Sequence, residues 1–308
     1  MTYHARFINA LCKAILFMEN SPLGSKSSIV TFLASDGLKL SGILSSSPRS
    51  GRLCLIFIHG LNGSAFSHLA LHLASHTASG TSVFSINSRG HDIVSGFSKR
   101  TGKLWKRKRI GASLERFEDS VFDIKGAIAA LSGLGFRRFI LCGHSTGCQK
   151  ALNYQYKTKD RRVKGLVLLA PTDDYNLDVK RLGRDYGHVL SECRKMIRKG
   201  CRDMPAPKGQ GMSAQRLDSI LNPRRVEGRL FNYNGELREF RSITVPILAV
   251  FGSNEEYALK APSEYLRILE DATSSEKFAS LLIEGATHSF DGKEKELIAN
   301  VMEWVAGL

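Results

Sequence analysis

Two hydrophobic patterns alternate along this 308-residue chain. Leu53–Ile58 is an unbroken apolar run of strand length, the pattern of a parallel strand buried on both faces. Ser82–Ile86, Phe139–Cys142, Leu166–Ala170 and Ile247–Phe251 repeat it, and Phe278–Ile283 is a weaker last instance. Ser28–Leu33 and Leu38–Leu44 flank Asp36-Gly37, which predicts a hairpin. Between the later strands the spacing turns helical. Val121, Ile124, Ile128 and Leu131 mark one apolar face, Val189, Cys193, Met196 and Ile197 another, and Leu297, Val301, Trp304 and Val305 a C-terminal helix. Buried strands alternating with helices predict an α/β fold with a mostly parallel, doubly wound sheet.

One stretch breaks the alternation. From 175 to 243 there is no convincing buried strand, three prolines (Pro205, Pro207, Pro223) and one good helical pattern. It reads as a helical cap inserted over one end of the sheet. The expected organisation is an N-terminal extension over 1–26, a core of 27–174 and 244–308, and a cap of 175–243. The extension carries His4, Arg6, Lys13 and a single acid, Glu19. Lys13 interrupts its apolar stretch, which disfavours a secretory signal and leaves an amphipathic helix or an organelle extension open.

Composition adds a basic surface. The formal charge is +15, with Lys99, Arg100, Lys103, Lys106, Arg107, Lys108 and Arg109 clustered without an acid among them. The cap stretch holds fifteen basic residues against eight acidic. The charge reads either as a solvated face or as a rim that attracts anionic substrates. Trp105 within the basic block could accompany phosphate contacts, but no nucleic-acid motif is present, so no specific nucleic-acid partner is expected. No apolar run reaches the roughly 20 residues of a membrane helix. None of the six cysteines forms a C-x-x-C pair, so no metal is expected from them. Cys54 and Cys142 sit in strand-like runs as small hydrophobes. The pattern suits a reducing, cytoplasmic setting. The oligomeric state is open.

The strongest chemical signal is Gly143-His144-Ser145-Thr146-Gly147, between the strand Phe139–Cys142 and a helical segment holding Ala151, Leu152 and Tyr156. A G-x-S-x-G motif at a strand–turn–helix junction is a nucleophile elbow. The glycines allow a tight turn that lifts Ser145 above the strand ends, and the helix N-terminus favours negative charge there. His59-Gly60 ends the strand Leu53–Ile58 and opens a loop of small residues. The N–H groups of Leu61 and Thr146 are the expected oxyanion hole. His59 itself reads as structural.

A serine hydroxyl needs a base. His288, in a loop between the last strand and the last helix, is preferred over His91 in Arg89-Gly90-His91-Asp92. The group that orients the base is expected at Glu255, shortly after the strand Ile247–Phe251. Glu256 is a rival expected to point elsewhere on the turn. Asp173 and Asp174, after the strand Leu166–Ala170, are also open.

These motifs together resemble the α/β-hydrolase superfamily across residues 28–308. A narrower resemblance is carried by Gly143–Cys148, Ala170-Pro171-Thr172-Asp173-Asp174, the stretch from Arg198-Lys199-Gly200 to Met204-Pro205, and Gly252–Tyr257. It points to fungal fusarinine-type siderophore esterases and their prokaryotic relatives. That resemblance implies ester hydrolysis by a Ser–His–Asp triad without a cofactor, with Ser145 as nucleophile and His288 as base. The group's usual Asp-Glu-Tyr is Glu255-Glu256-Tyr257 here. The expected function is therefore serine esterase action on a small-molecule ester through an acyl-enzyme. A thioesterase, a lysophospholipase-like lipase and a non-catalytic binding protein of the same fold are the alternatives.

Overall fold

The computed structural model describes residues 26–47, 51–75 and 81–308. The expectations for the N-terminal extension, Cys12 included, lie outside these residues.

Eight strands form one sheet. In chain order they are β1 (Lys26–Leu33), β2 (Lys39–Ser46), β3 (Leu53–Ile58), β4 (Ser82–Asn87), β7 (Arg138–His144), β8 (Val163–Leu169), β9 (Ile247–Gly252) and β10 (Phe278–Ile283). Their spatial order is β1-β2-β4-β3-β7-β8-β9-β10. β1 pairs antiparallel with β2, and β2 antiparallel with β4; every later pairing is parallel. The central strands are the continuous apolar runs of the sequence. Leu55, Ile56, Phe57 and Ile58 of β3 are fully buried, each stabilising the fold by about 1.5–3 kcal/mol relative to exposure. β10 is half-buried because it is an edge strand.

Helices cover both faces: α1 (His68–Ser75), α2 (Ser120–Gly133), α3 (Thr146–Thr158), α9 (Pro262–Ala272) and α10 (Glu294–Ala306). The predicted faces are the buried ones: Ile124, Ile128 and Leu131 on α2, and Leu297, Val301 and Val305 on α10. Between β8 and β9 lie α4 (Asp174–Leu182), α5 (Tyr186–Arg198), α6 (Ala214–Leu221) and the short α7 (Val226–Arg229) and α8 (Arg238–Arg241). Leu182, Val189, Leu190, Cys193, Leu217 and Leu221 pack into a hydrophobic cluster separate from the main core. This stretch thus supplies much of its own packing.

The basic block forms an antiparallel hairpin outside the main sheet, β5 (Ser95–Thr101) with β6 (Leu104–Ile110). The sequence pattern does not announce it. Of its strand residues only Phe97 is buried, so neither face shows the alternation of a half-buried strand. Lys99 is tied to Asp36 at 2.6 Å, which anchors the hairpin to the β1–β2 turn.

Candidate active site

Ser145 sits where β7 turns into α3, with φ 53° and ψ −126°. A non-glycine residue rarely adopts this backbone, and the surrounding packing must hold it there. The glycines of the motif make the turn possible. A Cβ on Gly147 would lie 2.0 Å from the Ile58 carbonyl oxygen, and one on Gly143 would lie 2.4 Å from the Gly147 backbone. One on Gly60 would press on Ser145 Cβ at 2.9 Å, so Gly60 lets the end of β3 approach the elbow.

Ser145 opens onto a cavity of about 420 Å³ that Gly60, Leu61, Thr146 and His288 also line. The N–H groups of Leu61 and Thr146 donate to no acceptor among the described residues. His59 stabilises this loop as a neutral ring. Its Nδ1–H donates to the Gly60 carbonyl at 2.8 Å, and Nε2 accepts the Ser88 N–H at 3.2 Å. Burial, reinforced by the nearby Lys150 charge, pushes its pKa down to about 3. That is the structural role expected of it.

His288 lies between β10 and α10 and is held at three points. Its Nδ1 is bracketed by the Glu255 carboxylate, at 2.8 Å from Oε1 and 3.0 Å from Oε2. Its backbone N–H donates to Glu256 Oε2 at 2.6 Å. Its carbonyl accepts from His144 Nε2 at 2.9 Å. Burial, with the neighbouring His288 adding to it, lowers the His144 pKa to about 4, so that ring is a neutral donor. With Nδ1 committed to Glu255, Nε2 is the ring nitrogen left to exchange a proton. Glu255 Oε1 also accepts the Tyr257 N–H at 3.0 Å, which fixes the carboxylate.

The sequence expectation for Glu256 needs correction. It does not point away but clasps the main chain of the same histidine, because the β9–α9 turn brings both carboxylates against the His288 loop. The other rivals lie apart from the ring. His91 bonds Asp92 at 3.0 Å and packs on Phe97, away from the cavity lining. Asp173 caps α4 through the Asn176 N–H. Asp174 does line the cavity, accepting from Thr172 Oγ1 at 3.0 Å and Gln149 Nε2 at 2.8 Å. Burial first, and then Glu227, raises its pKa to about 7.

Three contributors were not visible in the sequence. His144 occupies the variable position of the elbow. Tyr257 sets its ring 4.7 Å from that of His288. Lys150 on α3 is fully buried and donates to both oxygens of Glu115, at 3.0 and 2.9 Å. Glu115 is also 3.7 Å from Arg216 on α6, which pairs in turn with Glu227. This buried chain ties the elbow helix to the segment between β8 and β9. Burial alone would raise the Glu115 pKa, but Lys150 and Arg216 outweigh it and hold it below the ordinary value. The spacing of single charged residues gives no hint of such pairings.

The described cysteines are free. Burial pushes the thiols of Cys54, Cys142 and Cys148 up, so none of these three is a ready nucleophile.

An elbow serine, two open backbone donors and a carboxylate-bound histidine at the carboxyl ends of a mostly parallel sheet describe a class of hydrolases. The alpha/beta hydrolase family matches residues 55–299, and the chain belongs to that family. Carboxylesterase CesB (YbfK) from Bacillus subtilis is 18% identical, covering 99% of this chain and 98% of its own, with a TM-score of 0.59. Est1E from Butyrivibrio proteoclasticus, solved with ferulic acid bound, is 16% identical over 90% of this chain and 98% of its own, with a TM-score of 0.61. Naproxen esterase (carboxylesterase NP) from Bacillus subtilis is 16% identical over 95% and 96%, with a TM-score of 0.55. At these identities the likeness is one of fold. No curated protein matches the chain. No helix among the described residues is long and apolar enough to cross a membrane.

Proposed function

We propose that this protein is a serine esterase that cleaves a carboxylic ester through an acyl-enzyme. The observation that carries the reading is the Glu255–His288 pair at the cavity onto which Ser145 opens. In this reading Ser145 Oγ attacks the ester carbonyl carbon and His288 Nε2 takes its proton. Glu255 holds the ring with Nδ1 protonated and offsets the imidazolium charge. The N–H groups of Leu61 and Thr146 bind the oxyanion, a contribution typically worth a hundredfold or more in rate per donor. His288 returns its proton to the leaving alcohol. Water, deprotonated by the same nitrogen, then releases the acid and restores Ser145.

Residues 175–243 act as the cap over the core of 27–174 and 244–308. They meet the cavity through Leu177 on α4, next to the core's Asp174. Among the described residues, no lysine or arginine lines the cavity. The anionic substrates suggested by net charge therefore meet no described lysine or arginine in this lining. Leu61, Leu177 and Tyr257 instead offer apolar surface to an uncharged acyl or alcohol group. The narrower likeness to fusarinine-type siderophore esterases rests on the sequence motifs alone. A thioester would meet the same groups in the same order.

The test is hydrolysis of short-chain p-nitrophenyl esters by the wild type, Ser145→Ala and His288→Ala. The reading expects a burst of p-nitrophenol equal to the enzyme present, followed by slower turnover, in the wild type only. Equal hydrolysis by wild type and Ser145→Ala would overturn it.

A further inference from the structure

The sequence reading assigned no metal to this chain. Away from the proposed triad, however, His68, His72 and Glu294 gather ligand atoms within 4.8 Å of one another. His68 and His72 stand four residues apart on α1, the spacing that puts two side chains on one helix face. Their Nε2 atoms face each other at 3.0 Å, with the rings at 78°. On the far side of the His68 ring, Nδ1 lies 2.8 Å from Glu294 Oε1. That oxygen is itself fixed by the Gly292 N–H at 3.1 Å. The Asp291 carboxylate is a further 3.9 Å neighbour of His68 Nδ1.

We propose that His68 and His72 form a surface site for a divalent transition metal of the zinc type, bound through their two Nε2 atoms, with Glu294 orienting His68. Two imidazole nitrogens at about 2.0–2.1 Å from a tetrahedral zinc ion stand about 3.4 Å apart. The observed separation needs to open by only a few tenths of an ångström, a small rotamer adjustment for the exposed His68 ring beside the half-buried His72. The Nδ1 contact supplies the second requirement. A histidine that binds metal through one nitrogen usually donates the other N–H to a carboxylate, which fixes tautomer and direction. Imidazole nitrogens favour zinc, copper and nickel over magnesium or calcium. Water completes the coordination from the open side, where His68 is 62% exposed.

The position gives the site a consequence. His68 directly follows Ser67, and Ser289 directly follows His288; Ser67, Ser289 and His288 all line the catalytic cavity. Glu294 opens α10 at the end of the His288 loop. A bound ion therefore strengthens an existing link between α1 and that loop. Metal binding is expected to raise the melting temperature and to restrain the two walls of the cavity relative to each other.

The experiment is titration of tag-free protein with Co2+, followed by visible absorbance, and with Zn2+, followed by calorimetry and thermal shift. His68→Ala, His72→Ala, Glu294→Gln and His288→Ala are compared, each first shown to be folded by circular dichroism. The expected result is one saturable metal per wild-type chain with a rise in melting temperature. His68→Ala and His72→Ala lose both, Glu294→Gln weakens binding by about 10- to 100-fold, and His288→Ala binds as the wild type does. No stoichiometric binding by the wild type, or equal binding by His72→Ala, would overturn the site. Binding lost only in His288→Ala would also overturn it, by placing the ion at the catalytic histidine.

Discussion

Glu256 accepts the backbone N–H of His288 at 2.6 Å, while the adjacent Glu255 brackets the imidazole of the same residue. Two neighbouring acids thus divide the work, one holding the main chain and the other the ring. In the proposed reaction the second is the one in direct contact with the imidazole that takes up the proton.

The division predicts unequal losses. Glu255→Gln is expected to lower kcat by about a thousandfold or more, because an amide can leave the ring in the wrong tautomer. Glu256→Gln keeps an acceptor for the His288 N–H and is expected to cost far less. Steady-state kinetics on a p-nitrophenyl ester checks the order. A larger loss in Glu256→Gln would exchange the two roles.

Asp174 predicts a pH-dependent stability. Its folded pKa of about 7 lies above the ordinary aspartate value, with burial as the main cause. The folded state therefore binds this proton more tightly than the unfolded chain does. The group's favourable contribution is complete at pH values below the unfolded pKa and is lost as pH rises through about 7. Asp174→Asn cannot ionise and still offers an oxygen to Thr172 or Gln149. Its melting temperature relative to wild type should be higher at pH 8.5 than at pH 5. A difference independent of pH would count against the account.

The buried pair of Lys150 and Glu115 predicts a large loss of stability on one-sided removal. Lys150→Met leaves Glu115 with Arg216 at 3.7 Å as its remaining partner. Breaking a buried pair in this way costs about 3–5 kcal/mol. Urea denaturation should show a lowered midpoint with an unchanged slope. Because Lys150 shares α3 with the elbow, lost activity must be read at temperatures where the variant is folded.

The hairpin gives a prediction of no effect. Lys106, Arg107, Lys108 and Arg109 lie outside the lining of the cavity that holds Ser145. Replacing all four by glutamine should leave kcat/KM for an uncharged ester unchanged. A strong loss in a folded variant would join this surface to catalysis.

The sheet was legible because its central strands are buried on both faces, so that β3, β4, β7, β8 and β9 each appear as an unbroken apolar run. Ser145 was legible because the elbow demands small residues on either side, and those glycines are visible in sequence. The contact between His288 and Glu255 was legible from their places after β10 and β9, since loops at the carboxyl ends of neighbouring parallel strands converge. The hairpin Ser95–Ile110 was not legible, because strands without a buried face have no hydrophobic period. Nor were His144, Lys150 and the His68–His72–Glu294 group. The partners of His144 and Lys150, and the Glu294 partner of His68, are distant in sequence, and local pattern carries no record of which distant side chains the fold brings together. The orientation of Glu256 was misread for a related reason, since turn geometry alone does not say where the His288 main chain will lie.

In the proposed mechanism Ser145 is a nucleophile activated by His288. Its most direct test is intact-protein mass spectrometry after exposure to a fluorophosphonate, with peptide mapping of any adduct. One adduct per wild-type chain is expected, located on Ser145, with none on Ser145→Ala and greatly slowed labelling of His288→Ala. A folded wild-type protein that remains unmodified, or an adduct on any other residue, would contradict it.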